Sequence, residues 1–489
     1  MPSSASTREL MVRHAHISLC IAIGIALGAP ASALAATTWT VNTCGNDNTG
    51  SGTTGTLRYA AANATSGDTI DMTGLTCSTI SLSTGAITGA ITFPQDTLTV
   101  NGPGIGSLSI SGEYNGVVEA DRIINHTGTG FLNISGVSLR SGSLTNATGY
   151  ALGGCLYSAG YVVATGIGVY MCNTSTTSGF AGGGGIFAGA LYLKNSTLDH
   201  NVAYGGTSGG AGGGGALTHN FTAKYSTISN NEARGASGNA AGFGGGLKLF
   251  GSVTITASTI SGNFAGRDIG GVDAFTYTPL YLTTTITNST ISHNQATNYI
   301  GGIYLTAGVV QIKNSTIVFN TAGKDRTGTF PPHYYLAPGL ATSGSYGPQA
   351  VFLQSSLIAN NTIGTGVEYD LSEPIRGSTA VTFSGSNNLV RVTSAAVPGD
   401  TIKNSCPLLG PLRNNGGLTQ THALLSHSPG IDQGSNLDSV NQDQRGTYVE
   451  NVGGGPYLYP RVSGAAADIG AYEVQQDDIV FNTSFEGCP

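Results

Sequence analysis

Apolar residues recur through the middle of the chain in pairs five positions apart: Leu193 and Leu198, Ile255 and Ile260, Ile286 and Ile291, Ile312 and Ile317, Phe352 and Leu357. A strand keeps one face at even spacing and a helix favours three or four, so a gap of five predicts two short strands with a parity break between them. The break falls at Asn195, Asn288 and Asn314, each followed by Ser. Asn tolerates the left-handed backbone that a sharp bend needs. The chain turns there and brings its next apolar residue back inside.

These pairs sit in near-copies of one phrase: "LKNSTLDHNVA", "AKYSTISNNEA", "ITASTISGNFA", "ITNSTISHNQA" and "IKNSTIVFNTA". The Asn that closes each phrase, followed along the chain, gives Asn201, Asn231, Asn263, Asn294, Asn320 and Asn360, with steps of 30, 32, 31, 26 and 40. A Gly pair before an apolar residue gives a second column, at Gly154, Gly185, Gly215, Gly246, Gly271 and Gly302. Two columns sharing a period near 30 residues mean a stacked array. One such coil cannot bury its apolar side, but stacked coils can, each strand bonding to its copy about 4.8 Å away. The expected fold is therefore all-β: a single right-handed parallel β-helix. Its Asn column reads as scaffold, with side-chain amides bonding up and down the stack. "GTLRYAAANATSGDTI" predicts a short N-terminal capping helix, and the repeat blurs after Asn360 into last coils and a closing region. The expected organisation is a signal peptide over 1–35, cap and first coils over 36–130, and regular repeats over 131–363. A closing region over 364–476 and a tail over 477–489 complete it.

Charge changes the picture mainly by exclusion. Only 9% of residues are charged and the net charge is −7, so the polycation needed for nucleic-acid binding is missing. Arg8 and Arg13 precede the apolar run "ISLCIAIGIALGAPASALA", and Ala33-Leu34-Ala35 fits a signal-peptidase site, so export is expected. Leu19 before Cys20 does not fit lipid anchoring, and no second stretch is apolar enough to span a bilayer. Export leaves Cys44, Cys77, Cys155, Cys172, Cys406 and Cys488, an even number in a disulfide-permissive compartment. Proximity favours Cys44 with Cys77 and Cys155 with Cys172, which leaves Cys406 with Cys488. Metal ligation is the competing reading, and there is no C-x-x-C pair to support it.

The phrase and Gly-pair columns resemble bacterial parallel β-helix proteins, including polymorphic outer-membrane protein repeats. "LGPLRNNGGLTQTHALLSHSPGIDQGS", "DQRG" and "ADIGAYE" are similar to the closing region of choice-of-anchor Q domain proteins. The resemblance implies architecture and says almost nothing of activity.

Candidate chemistry lies in the loops. Arg234 and Arg267 follow the Asn column, with Asp268 adjacent, Asp273 just after a Gly pair, and Lys324 and Arg326 in "GKDRTG". Such a charged strip could bind or cleave an acidic glycan, or simply solubilise loop tips. Tyr277 and Tyr281 in "AFTYTPLY", and Tyr334 and Tyr335 in "FPPHYYLAPG", are candidates for stacking on sugar rings; packing of each loop on its own coil is the alternative. His200 and His293 share a column, but three coils separate them, on the order of 14 Å, too far for one metal. Gly-His-Gly and an acid-rich calcium stretch are both missing, which counts against the best-known polysaccharide-cleaving β-helices. Asp432, Asp443, Arg445, Asp468 and Glu473 read as an internal ion-pair arrangement; a calcium site is imaginable, but spacing does not support it. No cofactor is called for. Two functions compete: an adhesin-like binding scaffold for polysaccharide or a cell-surface ligand, and an extracellular polysaccharide lyase or glycosidase. A purely structural display role is the third. Binding is preferred, because every recurring polar residue already has a ladder explanation.

Overall fold

The computed structural model describes residues 35–475 and Cys488, apart from segments 84–86, 115, 119–120, 237–240, 276–281, 307, 324–336, 344–348, 365, 373–380 and 449–456. It is a parallel β-solenoid with a single described helix, Leu57–Asn63, at its N-terminal end. Thr56 caps that helix by accepting the Tyr59 N–H on its hydroxyl, and Leu57, Ala60 and Ala61 are its buried residues.

One coil explains the rest. Ile186–Lys194 lies in the largest sheet, Asn195 bends the chain at φ 48°, and Thr197–Asp199 lies in a second sheet of 11 strands. His200 bends it again at φ 55°, and Val202–Gly205 enters a third sheet of nine. Ala211–Gly212 joins a fourth, and the left-handed Gly213 returns the chain to Ala216–Lys224, in register with Ile186–Lys194. The inward stacks are Leu193, Ala223, Ile255, Ile286, Ile312 and Leu353 on one sheet. On the next they are Leu198, Ile228, Ile260, Ile291, Ile317 and Ile358.

The phrase can now be read letter by letter. Asn195, Asn288 and Asn314 hold the left-handed bend, as do Tyr225 and Ala257, so Asn is favoured there but not required. The following Ser accepts the backbone N–H of the Ser one coil earlier, from Ser196 through Ser226, Ser258, Ser289 and Ser315 to Ser356. The closing Asn makes a fuller ladder. Asn201, Asn231, Asn263 and Asn294 each donate backbone N–H and side-chain Nδ2–H to the Oδ1 of the next rung, with Nδ2···Oδ1 distances of 2.8–2.9 Å. The second Nδ2 hydrogen goes to a backbone carbonyl of the preceding coil, such as Leu198 for Asn231. Every amide in the column is thereby satisfied at zero exposure, as a buried polar group must be. The Gly column is what lets the amides in. A Cβ on Gly215 would lie 3.1 Å from Asn231 Nδ2, and one on Gly246 3.1 Å from Asn263 Nδ2. The two sequence columns share a period because they touch.

One expectation is corrected. Asn320 donates to Asn361, not to Asn360, and the buried inward pair of that coil is Leu353 and Ile358 rather than Phe352 and Leu357. Asn360 holds the left-handed bend at φ 57°. The pair one residue earlier has the same spacing and is also apolar, so the pattern alone does not choose. Phe352 faces outward with Lys313 5.5 Å from its ring centre, and Leu357 is buried under a covering segment. The ladder ends on Asp370, whose Oδ1 accepts both N–H groups of Asn361 and whose Oδ2 accepts from Val392. Burial first, and Glu368 second, push the Asp370 carboxyl well above its ordinary range, against those three donors.

That covering segment is part of residues 403–448 and 457–475, which pack along the outer face of the second sheet. Thr259 Oγ1 donates to the Gln420 carbonyl, Thr290 Oγ1 to Gln444 Oε1, and Ala471 N–H to Thr316 Oγ1. Strands Thr259–Ser261, Thr290–Ser292 and Thr316–Val318 are accordingly buried on both faces, whereas Thr197–Asp199 and Thr227–Ser229 bury only their central residue. His422 is seated in the contact. Its Nδ1 must donate to the Gly410 carbonyl, so its Nε2 accepts from the Ser292 hydroxyl, at 2.8 Å each. Burial, reinforced by His293, lowers its pKa to about 3. Disulfides join Cys44 to Cys77, Cys155 to Cys172 and Cys406 to Cys488.

Two outcomes follow from these contacts. Asn263→Ala removes the acceptor for two Asn231 donors and the Nδ2 donor that serves Asn294 and the Ile228 carbonyl, while the backbone N–H stays, and should cost on the order of 3–5 kcal/mol in denaturant unfolding. His422 is neutral when folded and protonates in the unfolded chain below its ordinary pKa, so its contribution is complete above about pH 6.5. It is lost as pH falls towards 3, by up to about 1.4 kcal/mol per pH unit. Unfolding free energies measured from pH 7 to 5 should show that slope, and His422→Gln should remove it.

Candidate functional site

The left-handed Gly at each return turn (Gly153, Gly183, Gly213, Gly244) reverses the chain, so residues just before it pack beside residues just after it. Outward residues of the following strands form a column from Tyr157 through Phe187, Leu217, Lys248 and Asp273 to Tyr304. Leu152, Phe180 and Phe250 pack onto its first half as a small external core, and the Tyr157 and Phe187 rings stack at 5.2 Å. Arg122 lies 5.1 Å from the Tyr157 ring centre.

In this column the apolar run gives way to an ion pair. Lys248 Nζ donates to Asp273 Oδ2 at 2.5 Å, with 12% and 3% of the two side chains exposed. The ammonium lies 5.2, 5.2 and 5.8 Å from the ring centres of Phe243, Phe250 and Phe275. Asp273 Oδ1 is buried without a hydrogen-bond partner. On the other side of Phe243, the Arg267 guanidinium is 5.5 Å from the ring centre and 3.3 Å from Asp268 Oδ2. The Phe243 backbone itself bridges to Asp268. The structure thus brings Arg267, Asp268 and Asp273 around one ring.

Lys248 is the member that sequence reasoning missed. Its signal was present: Lys248 follows Gly246 by two positions, as Asp273 follows Gly271. Arg234 stands close by, its Cα 3.3 Å from where a Cβ of Gly266 would lie. It pairs with Glu232 at 2.6 Å and stacks on Phe264. Of the strip expected from sequence, the described cations Arg234 and Arg267 each face a carboxylate and so present little net charge to an acidic ligand. Tyr277, Tyr281, Lys324, Arg326, Tyr334 and Tyr335 lie outside the described residues.

The remaining sequence candidates do other work. His200 is exposed, and its Nδ1–H donates to Asp199 Oδ2, 2.6 Å away. His293 occupies a left-handed bend and stacks on His422 and Phe319. The Ser292–His422 contact has the form of an activated serine, but both side chains are buried and Ser292 has no path to substrate. In the closing region Arg445 is fully buried, 2.8 Å from Asp443 and sandwiched between Tyr459 and Tyr472 at 4.0 and 3.9 Å. Burial pushes Asp443 and Asp468 up, and burial with Asp468 alongside pushes Glu473 to about 8, although the Asp468 and Ser463 N–H groups and Arg461 pull it down. This cluster fastens the closing region to itself. Among the described residues no group of three or more His, Cys, Asp or Glu could hold a metal ion, and no helix is long and apolar enough to cross a membrane.

No protein-family model matches the sequence, and no curated protein matches it. Among solved structures, the crystal structure of pectate lyase Pel9A is similar at 13% identity and a TM-score of 0.36, over 90% of this chain and 97% of that one. At that level the likeness bears on neither substrate nor mechanism.

If the Lys248–Asp273 pair is structural, removing one partner strands a buried charge. Lys248→Met and Asp273→Leu should each destabilise by on the order of 3–5 kcal/mol, and the double variant should recover most of that loss. A double-mutant cycle in guanidinium unfolding measures it.

Proposed function

We propose that this chain is an exported, adhesin-like scaffold that binds polysaccharide, rather than an enzyme that cuts it. The observation that supports binding is an exposed aromatic pair on the outer face of the largest sheet. Phe131 and Tyr161, paired across adjacent coils, stack at 4.9 Å yet remain 47% and 41% exposed. Below them the outward column runs through Ala190 and Asn220, beside a neighbouring column of Val163, Tyr192, Thr222 and Thr254. Rings left open on a flat, largely uncharged face suit sugar stacking. Three disulfides support passage through an oxidising compartment. The self-neutralised cluster around Phe243 supports binding over acid–base chemistry, since its charges are committed to one another.

A lyase or glycosidase is the second reading, and one observation favours it: Asp273 Oδ1 is a carboxylate oxygen without a partner, beside an ammonium. A glycan array and a depolymerisation assay on the oxidised chain from residue 36 separate the two. Binding without new reducing ends or unsaturated products, weakened roughly tenfold or more by Phe131→Ala/Tyr161→Ala, is the expected result. Product formation abolished by Asp273→Asn would replace binding with catalysis.

A further inference from the structure

The second sheet is covered by the closing segment only from Thr259 onward, and its other half is open. There, six strands from Thr79–Ser81 to Thr227–Ser229 present one outward column of small residues, Thr79, Ser109, Ser138, Gly168, Thr197 and Thr227, and a second in which Arg140, Tyr170 and Asp199 stand between Ser111 and Ser229. The open face is about 24 Å long at the strand spacing. At its N-terminal end it deepens into an open cavity of about 440 Å³. The floor carries the hydroxyls of Thr79, Ser109, Ser111 and Ser138, and the loop bearing Ile105 forms one wall, fastened by the Ser138 hydroxyl to the Ile105 carbonyl.

Three features of this cavity point to a ligand. Ser109 Oγ is shielded and has no hydrogen-bond partner among the described residues, although Ser109 belongs to the lining. The Arg140 guanidinium lies over the Tyr170 ring, 4.5 Å from its centre, and has no side-chain hydrogen bond or ion pair among the described residues. Around Phe243, by contrast, each cation faces a carboxylate. Glu113 enters the same cavity with one oxygen accepting from Ser141 at 3.3 Å, and Ile105 is 37% exposed beside it. A guanidinium fork, a carboxylate and a row of hydroxyls supply donors and acceptors for vicinal diols, while Ile105 supplies apolar surface. Arg140 and Glu113 together leave the cavity without net charge.

We infer that this cavity is a binding site for an uncharged sugar unit of an extended glycan, whose chain continues along the small-residue column towards the closing segment. Arg140 and Glu113 grip one sugar residue through paired hydrogen bonds to its hydroxyls. The site rests on the glycan-binding reading and names its ligand class and a second place on the molecule where it acts.

The test is calorimetric titration of the oxidised chain from residue 36 with cellohexaose, mannohexaose and, as the charged control, hexagalacturonate. An uncharged hexasaccharide should bind with an affinity that changes little between roughly 50 and 500 mM salt, because no charged ligand group is screened. Arg140→Gln and Glu113→Gln should each weaken it about tenfold. Both residues are surface positions, so the variants should melt with the parent protein. Binding that survives both substitutions but is lost in Phe131→Ala/Tyr161→Ala would overturn this site and leave the glycan-binding reading standing. Binding confined to hexagalacturonate, or none among the hexasaccharides, would also overturn it. Failure on the whole glycan array is the separate result that removes the broader reading.

Discussion

The close approach of the Asn column to the Gly column is the contact on which the rest of the molecule depends. A coil of some 30 residues with so few charges and so many glycines has little apolar area per residue and loses much chain entropy on ordering. What fixes it is that each buried amide satisfies all its donors and acceptors between neighbouring coils, in space that exists only because the facing residue lacks a Cβ. The ladder therefore sets the coil register as well as contributing stability. A slip by one residue would put a side chain where Gly215 or Gly246 stands and leave amides unpaired in the interior.

The closing segment solves a different problem. A solenoid has two ends to protect, and here the C-terminal portion also folds back to bury Thr259, Thr290 and Thr316. Gln444 is the centre of that contact, since its amide donates to Thr259 and accepts from Thr290 on successive coils. His422 and the tyrosine-sandwiched Arg445 keep the segment itself rigid. The second sheet is thus half interior and half open, with its open half polar and largely uncharged.

Much of this was legible in sequence, because the repeat has two markers with a physical basis. The bends at Asn195, Asn288 and Asn314, the amide column as far as Asn320 and the capping helix could all be read from it. The reading slipped where two patterns coincide: Phe352/Leu357 and Leu353/Ile358 are both apolar pairs five apart, and only the covering segment explains why Leu357 is apolar. The candidate cluster was half legible. Arg267, Asp268 and Asp273 announced themselves as rare charges in a poorly charged chain, but Lys248 needed the register of adjacent coils before it became the partner of Asp273. The Arg140–Glu113 cavity left no mark in the repeat at all. It is walled by the loop bearing Ile105 and floored by one end of the second sheet, and that is information about the fold rather than the phrase.

The amide column also has a direction. From Asn201 to Asn361 every rung donates forward and accepts from behind, so the small dipoles add instead of cancelling, and the donor end terminates on the Asp370 carboxylate. Rungs in the middle are interchangeable, and a coil copied or deleted there would find the same amide above and below. At Asp370 they are not, because a carboxylate accepts but has no N–H to pass on. The length of this molecule could thus have grown by duplication of inner coils while its terminus stayed fixed, with a single acidic residue marking where the stack ends.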